Sequence, residues 1–132
     1  MFVDASAIVA ILTREADADL LADRLDAATA PVTSPVALFE ATLGLCRKRR
    51  IEVAEAETNV GEFLAAAGIR VVAITPADGA AALAAFARYG KGRGHPAQLN
   101  LGDCFAYAGA KTRRVGLLHT GQDFAQTDLA VP

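Results

Sequence analysis

The opening stretch Met1-Phe2-Val3-Asp4-Ala5-Ser6-Ala7-Ile8-Val9-Ala10-Ile11-Leu12-Thr13 puts two patterns end to end. A short apolar run, Met1 to Val3, meets a carboxylate at once, and Ser6 to about Thr13 then has helical character. The segment predicts a strand running into a helix, with Asp4 at the junction. Downstream the alternation repeats. Asp17 to Ala28 reads as a helix with Leu20, Leu21 and Leu25 on one face, stopped at Ala30-Pro31 because proline cannot continue it. Val32-Thr33 is a brief second strand. Ser34-Pro35 is a helix start, serine as N-cap and proline at the first helical position, leading into Val36 to Leu43 with Glu40 inside.

Glu52 to Ala67 predicts another helix, closed by Gly68, and Ile69 to Ile74 is a β-branched run suited to a buried parallel strand. Pro76 to Tyr89 and Leu101 to Lys111 read as helices, and Val115-Gly116-Leu117-Leu118 as a final core strand. Between those helices, Gly90-Lys91-Gly92-Arg93-Gly94-His95-Pro96 reads as a mobile, solvent-exposed loop. Strands alternating with helices indicate an α/β fold, an α/β/α sandwich around a central, mainly parallel sheet. With 132 residues the chain has room for one core, so a single domain over residues 1–132 is expected. Sites in such sheets form beyond the carboxyl ends of the strands, where Asp4 follows the first strand and Asp123 the last.

A hydrophobic fraction of 53% excludes a disordered chain. Cys46 and Cys104 lack the spacing of a zinc site, so buried free thiols in a reducing compartment are expected. No basic segment precedes an apolar leader, and no apolar run approaches the roughly 18 residues a membrane span needs, which points to the cytoplasm and to no membrane. The net charge of −2 says little about nucleic acid, but its distribution says more. Cations gather at Arg47-Lys48-Arg49-Arg50, at Lys91 and Arg93, and at Lys111-Arg113-Arg114, while several acids stand alone among apolar residues.

Each of those acids also has a structural explanation. Asp4 is a good N-cap for the helix after the first strand. Asn100 as a cap would place Asp103 at the third helical position, where an acid favours the helix dipole. Asp123 fits an ordinary turn. Glu40 is harder to place, because an ionised carboxylate among Val36, Phe39, Leu43 and Leu45 needs a cation or a metal. Arg47, two turns on, reads as out of phase with it. Carboxylates from distant segments converging at one sheet edge would repel, and a hard divalent ion such as Mg²⁺ suits oxygen-only ligands. Neither histidine competes for a softer metal: His95 lies in the loop and His119 stands alone, each read as surface or satisfied core.

Several motifs together carry a family resemblance: Met1-Phe2-Val3-Asp4-Ala5-Ser6, Ser34-Pro35 to Glu40, Tyr89-Gly90-Lys91-Gly92-Arg93, Leu99-Asn100-Leu101-Gly102-Asp103-Cys104-Phe105-Ala106-Tyr107, and Gly121-Gln122-Asp123-Phe124 to Thr127-Asp128. In order and spacing the whole chain resembles a VapC-type toxin of a type II toxin–antitoxin system, a PIN-domain ribonuclease. The resemblance implies that Asp4, Glu40, Asp103 and Asp123 form the catalytic acids, with Asp4 and Asp103 as metal ligands and Ser6 orienting Asp4 or a bound water. The family often has an aspartate where Gly121 stands here, and a second acid where Gln122 stands, so Asp123 is the available fourth carboxylate.

The chemistry implied is Mg²⁺-dependent hydrolysis of RNA phosphodiester bonds, with Mn²⁺ as a substitute ion, on a structured target such as tRNA or rRNA. Lys91, Arg93 and the Arg47 to Arg50 cluster are the candidates for holding the RNA backbone. The resemblance further implies a homodimer and a cognate VapB-like antitoxin that blocks the acidic groove. Two alternatives stand beside it. One is a non-catalytic protein-binding module of the same fold. The other is a haloacid-dehalogenase-like phosphatase, which needs a second aspartate two residues after the first, where this chain has Ser6.

Overall fold

The computed structural model describes residues 1–129, so residues 130–132 of the expected domain lie outside the described residues. Four short strands, β1 (Phe2–Val3), β2 (Val32–Thr33), β3 (Arg70–Val71) and β4 (Leu117–Leu118), form one sheet in the order β3-β2-β1-β4. All three pairings are parallel, with Phe2 registered against both Val32 and Leu117. Alternation along each strand sorts the core into two halves. Phe2, Val32 and Leu117 join Tyr89, Leu99 and Phe124 on one face, while Val3 and Leu118 join Ile8, Leu25, Leu45 and Val60 on the other.

Each half is covered by its own helices, which makes the α/β/α sandwich expected from the sequence. Helices α1 (Ala5–Leu12), α2 (Ala18–Asp26), α3 (Pro35–Arg49) and α4 (Val53–Ala67) supply one layer, and α5 (Pro76–Tyr89) and α6 (Leu101–Arg113) the other. The chain steps outward from β1 to β2 to β3, then returns through α5 and α6 to lay β4 on the free side of β1. That reversal makes the gap between β1 and β4 the switch point of the sheet, the place where an open α/β sheet builds its site. Helix α6 closes tightly on β1 there, since a side chain at Gly109 would overlap the Phe2 ring.

Local signals set the helix ends. Ser34 Oγ accepts the Ala37 N–H at 3.2 Å with Pro35 in the first turn, and Gly68 ends α4 in the left-handed conformation at φ 67°. Two expectations need correction. Of the run Ile69 to Ile74 only Arg70 and Val71 are strand, with the Val72 N–H adding a last bond to the Thr33 carbonyl, and both strand residues are exposed, because β3 is an edge strand with β2 on one side only. Leu20 is 61% exposed, since it sits about 100° around the helix from Leu21, which takes the core position.

One buried acid holds the second helical layer together. Asp78 closes a capping box with Thr75 at the start of α5 and accepts hydrogen bonds from the Thr112 hydroxyl at 2.6 Å and the Arg113 guanidinium at 3.1 Å. Arg113 continues to the Ala73 carbonyl, tying α6 to the entry of α5. Burial works against ionisation of Asp78, but the bonds from Thr112, Thr75 and Arg113 outweigh it and hold the carboxyl below its usual range.

Candidate active site

Asp4 leaves β1 as the N-cap of α1, its Oδ2 accepting the Ser6 N–H at 3.0 Å, and it is only 4% exposed. The capping role and the site role therefore coexist in one carboxylate. Burial pushes Asp4 above its usual range against the opposing effects of the Ser6 hydroxyl, the Ser6 N–H and His119. Ser6 also reaches across the switch point, its Oγ accepting the Thr120 N–H at 3.2 Å just past β4. It fixes the end of β1 against the end of β4.

Asp103 shows the same double use. Asn100 caps α6 as the sequence suggests, and the two residues form a full capping box: Asn100 Oδ1 accepts the Asp103 N–H at 2.9 Å, and Asp103 Oδ2 accepts the Asn100 N–H at 3.1 Å. Burial nevertheless pushes the Asp103 carboxyl up to about 7; the Asn100 N–H opposes the rise, and the charges of Asp4, Asp123 and Glu40 add to it. That coupling is the clearest statement of the geometry, because it brings four carboxylates from β1, α3, α6 and the segment after β4 into one field.

Glu40 comes from the middle of α3. Its carboxylate lies directly over the first turn of α6, where a side chain on buried Gly102 would overlap it. A methyl group there would push the Glu40 carboxylate aside. Burial raises the Glu40 pKa, Asp4 raises it further, and Arg47 lowers it. Arg47 and Glu40 line the same groove, which corrects the reading that put them out of phase: seven residues is close to two full turns. Asp123 is exposed, but the next residue, Phe124, is buried and begins a 3-10 turn (Phe124–Gln126) that seats it. Gly121 has φ 88°, a conformation that suits glycine, so the backbone here is built for a residue without a side chain.

Lys91 and Arg93 are exposed on a turn whose base is pinned. Gly90 bridges Leu99, the Lys91 N–H reaches the Leu99 carbonyl at 2.8 Å, and Asn100 follows as the cap of α6. The loop thus springs from the residues just before Asp103. His95 is satisfied as expected, accepting the Ala97 N–H at 3.0 Å and standing edge-on to Tyr89. His119 is not. It lies just past β4, edge-on to Phe124 with Nδ1 buried and unpartnered; burial lowers its pKa, while Asp4 and Asp123 work against that. The sequence offered two unused signals here: a histidine directly after a core strand, and a glycine inside the first turn of α6.

The donor chemistry fits a hard divalent cation. Asp4 and Asp103 each commit one oxygen to a helix cap, and Glu40 makes no hydrogen bond among the described residues. Burial raises all three, and repulsion from neighbouring acids adds to the rise at Glu40 and Asp103, the condition a bound cation relieves. Among the described residues no three acidic, histidine or cysteine side chains stand close enough to clasp one ion, so the acids surround the cleft rather than fill it.

Comparison with known proteins places this geometry. The PIN domain model matches residues 1–129. A VapC ribonuclease of Rhizobium meliloti (strain 1021) is 45% identical over 97% of this chain and 98% of its own length. Ribonuclease VapC28 of Mycobacterium tuberculosis (strain ATCC 25618 / H37Rv) is 40% identical over 96% of this chain and 93% of its own. Among solved structures, Mycobacterium tuberculosis VapC20, described as a sarcin-ricin loop cleaving toxin, superposes with a TM-score of 0.70 over 94% of this chain and 92% of that one, at 19% identity. A toxin–antitoxin complex from Klebsiella pneumoniae gives 0.71 over 99% and 95%, at 18% identity. The two structures speak for the fold and the sequence relatives for the family. An α/β/α sandwich with an acidic cleft at its β1/β4 switch point, matched along nearly its whole length, makes this chain a member of the VapC ribonuclease family of PIN-domain proteins.

Proposed function

We propose that residues 1–132 form one PIN-like nuclease domain, a Mg²⁺-dependent endoribonuclease toxin held in check by a cognate VapB-like antitoxin. The observation that carries it is the convergence of Asp4, Glu40, Asp103 and Asp123, with Asp103 raised to about 7 by burial and by the other three. Asp4 and Asp103 would hold the ion, which supplies positive charge against the phosphate and makes water more acidic. Glu40 and Asp123 complete the negative rim. Ser6 keeps Asp4 in place through its N–H and braces the β4 end through its hydroxyl. Water attacks the phosphodiester phosphorus in line, the bond to the 3′ oxygen breaks, and the carboxylates orient that water. Mn²⁺ would substitute, since it shares the preference for oxygen ligands.

An acidic cleft repels RNA, so Lys91 and Arg93, beside the start of α6, carry the backbone together with whatever charge the Arg47 to Arg50 cluster leaves free. A structured RNA such as tRNA or rRNA, a homodimer and a cytoplasmic setting complete the reading; free cysteines suit a reducing compartment. Among the described residues no helix is long and apolar enough to cross a membrane. Ser6 cannot supply the acid that the phosphatase alternative needs. The test is cleavage of total RNA with and without Mg²⁺ by protein freed of antitoxin, beside folded Asp4→Asn and Asp103→Asn variants. Equal cleavage by all three overturns the assignment. Absence of both cleavage and Mg²⁺ binding by calorimetry favours the non-catalytic binding module.

A further inference from the structure

The basic run at the end of α3 is not four equivalent charges. Lys48 pairs with Glu15 at 2.7 Å, and Arg49 donates to the Leu12 carbonyl, so both are spent in fastening α3 to the end of α1. Arg50 takes the left-handed cap position of α3 at φ 53°. Arg47 makes no hydrogen bond or ion pair among the described residues, and it alone of the three arginines lines the groove that also contains Glu40.

That groove runs between α1 and α3. Ser6, Val9 and Gly44 line it, and the last two nearly touch: a side chain on Gly44 would come within 3.0 Å of Val9. At one end are Glu40 and Ser6, part of the acidic cleft. Toward the other, the Glu15 charge is cancelled by Lys48, which leaves Arg47 as the groove cation without an ion-pair partner among the described residues. Glu40 and Arg47 are seven residues apart on one face, about 10 Å along the helix axis. A nucleic-acid strand advances about 3.4 Å per stacked nucleotide, so this span covers a few nucleotide steps.

Resting on the ribonuclease reading above, we propose that the α1/α3 groove is a phosphate subsite, in which Arg47 binds an RNA backbone phosphate a few nucleotides from the scissile bond. Arg47 is a positioning residue. Its guanidinium sets the register of the strand in the acidic cleft, and planar, multidentate phosphate recognition is the chemistry arginine supplies. An RNA strand suits the groove better than an acidic protein segment, because the groove leads directly into the cleft where phosphodiester chemistry is placed.

The test measures binding of a fluorescent single-stranded RNA by anisotropy across a salt series, in an Asp103→Asn background so that the probe stays intact, together with steady-state cleavage in the otherwise native protein. Arg47→Gln is compared with Arg70→Gln, which removes one exposed charge from the edge strand β3, and with Arg47→Lys; circular dichroism confirms that all fold. Arg47→Gln is expected to bind about 5-fold more weakly, to flatten the log–log salt slope by about 0.7, and to raise KM more than it lowers kcat. Arg47→Lys should recover the slope. If Arg47→Gln and Arg70→Gln match in slope and KM while the native protein cleaves RNA, the subsite is overturned and the ribonuclease reading stands. If the native protein neither cleaves nor binds RNA, both fall.

Discussion

Two groups of buried or half-buried acid occupy this small fold and behave in opposite ways. Asp78, between α5 and α6, accepts from Thr75, Thr112 and Arg113, and its carboxyl is held below the usual range. Asp4, Glu40 and Asp103, at the β1/β4 switch point, have helix-cap bonds or none, and burial raises each of them. A buried carboxylate kept for structure comes with its own cation and donors. Carboxylates gathered without such donors stay close to uncompensated in a cleft, a state that a bound cation would relieve.

The largest expected effect breaks the second group. Asp4→Asn or Asp103→Asn keeps the shape and the cap acceptor while removing a charge, and is expected to lower the cleavage rate on the order of 10²- to 10⁴-fold in an RNA cleavage assay. Breaking the first group acts on stability instead. Asp78→Ala strands Arg113 and the Thr75 N–H, at a cost of about 3 kcal/mol in urea unfolding, with cleavage per folded molecule little changed. Gly102→Ala sharpens the contrast, because it displaces the Glu40 carboxylate from outside the acid set. A loss of about 10- to 100-fold in Mg²⁺ affinity by calorimetry is expected, with a smaller effect on the unfolding midpoint.

The smallest effect is a difference of sign with pH. Between the ordinary aspartate value of 3.8 and about 7, folded Asp103 keeps a proton that the unfolded chain has lost, so stability falls as pH rises through that window. Asp78 does the reverse: folded, it has lost a proton that the unfolded chain still holds, so its contribution is present above pH 3.8 and is lost as pH falls toward its depressed folded value. In thermal melts of metal-free protein, Asp103→Asn should therefore gain a few degrees, about 1 kcal/mol, over the native chain at pH 8 and not at pH 4. Added Mg²⁺ should raise the native melting point at pH 8 and leave most of that variant's unchanged.

Much of the fold was legible because its signals are local. Ser34-Pro35, Gly68, Pro76 and Asn100 mark helix ends through bonds within four residues, and the α/β order follows from them. The capping box of Asn100 and Asp103 is one such local signal. Thr75-Pro76-Ala77-Asp78 carries the same kind of signature, and its capping box is complete. The exposed edge position of β3 was not legible, since apolar residues alone do not say whether a strand has one neighbour or two.

By itself, the sequence determined which residues cap, which alternate and which acids stand in a family's motif, because those properties depend on side-chain chemistry and near neighbours. Only the tertiary structure decided that Asp4, Glu40, Asp103 and Asp123 share one field, that Glu40 rests on Gly102, that Arg47 looks along the same groove, that His119 keeps a buried nitrogen unpartnered, and that Asp78 meets Arg113 instead. Those pairings join segments tens of residues apart. Their cause is the return of the chain across the sheet to place β4 beside β1, a long-range choice made by packing both faces at once.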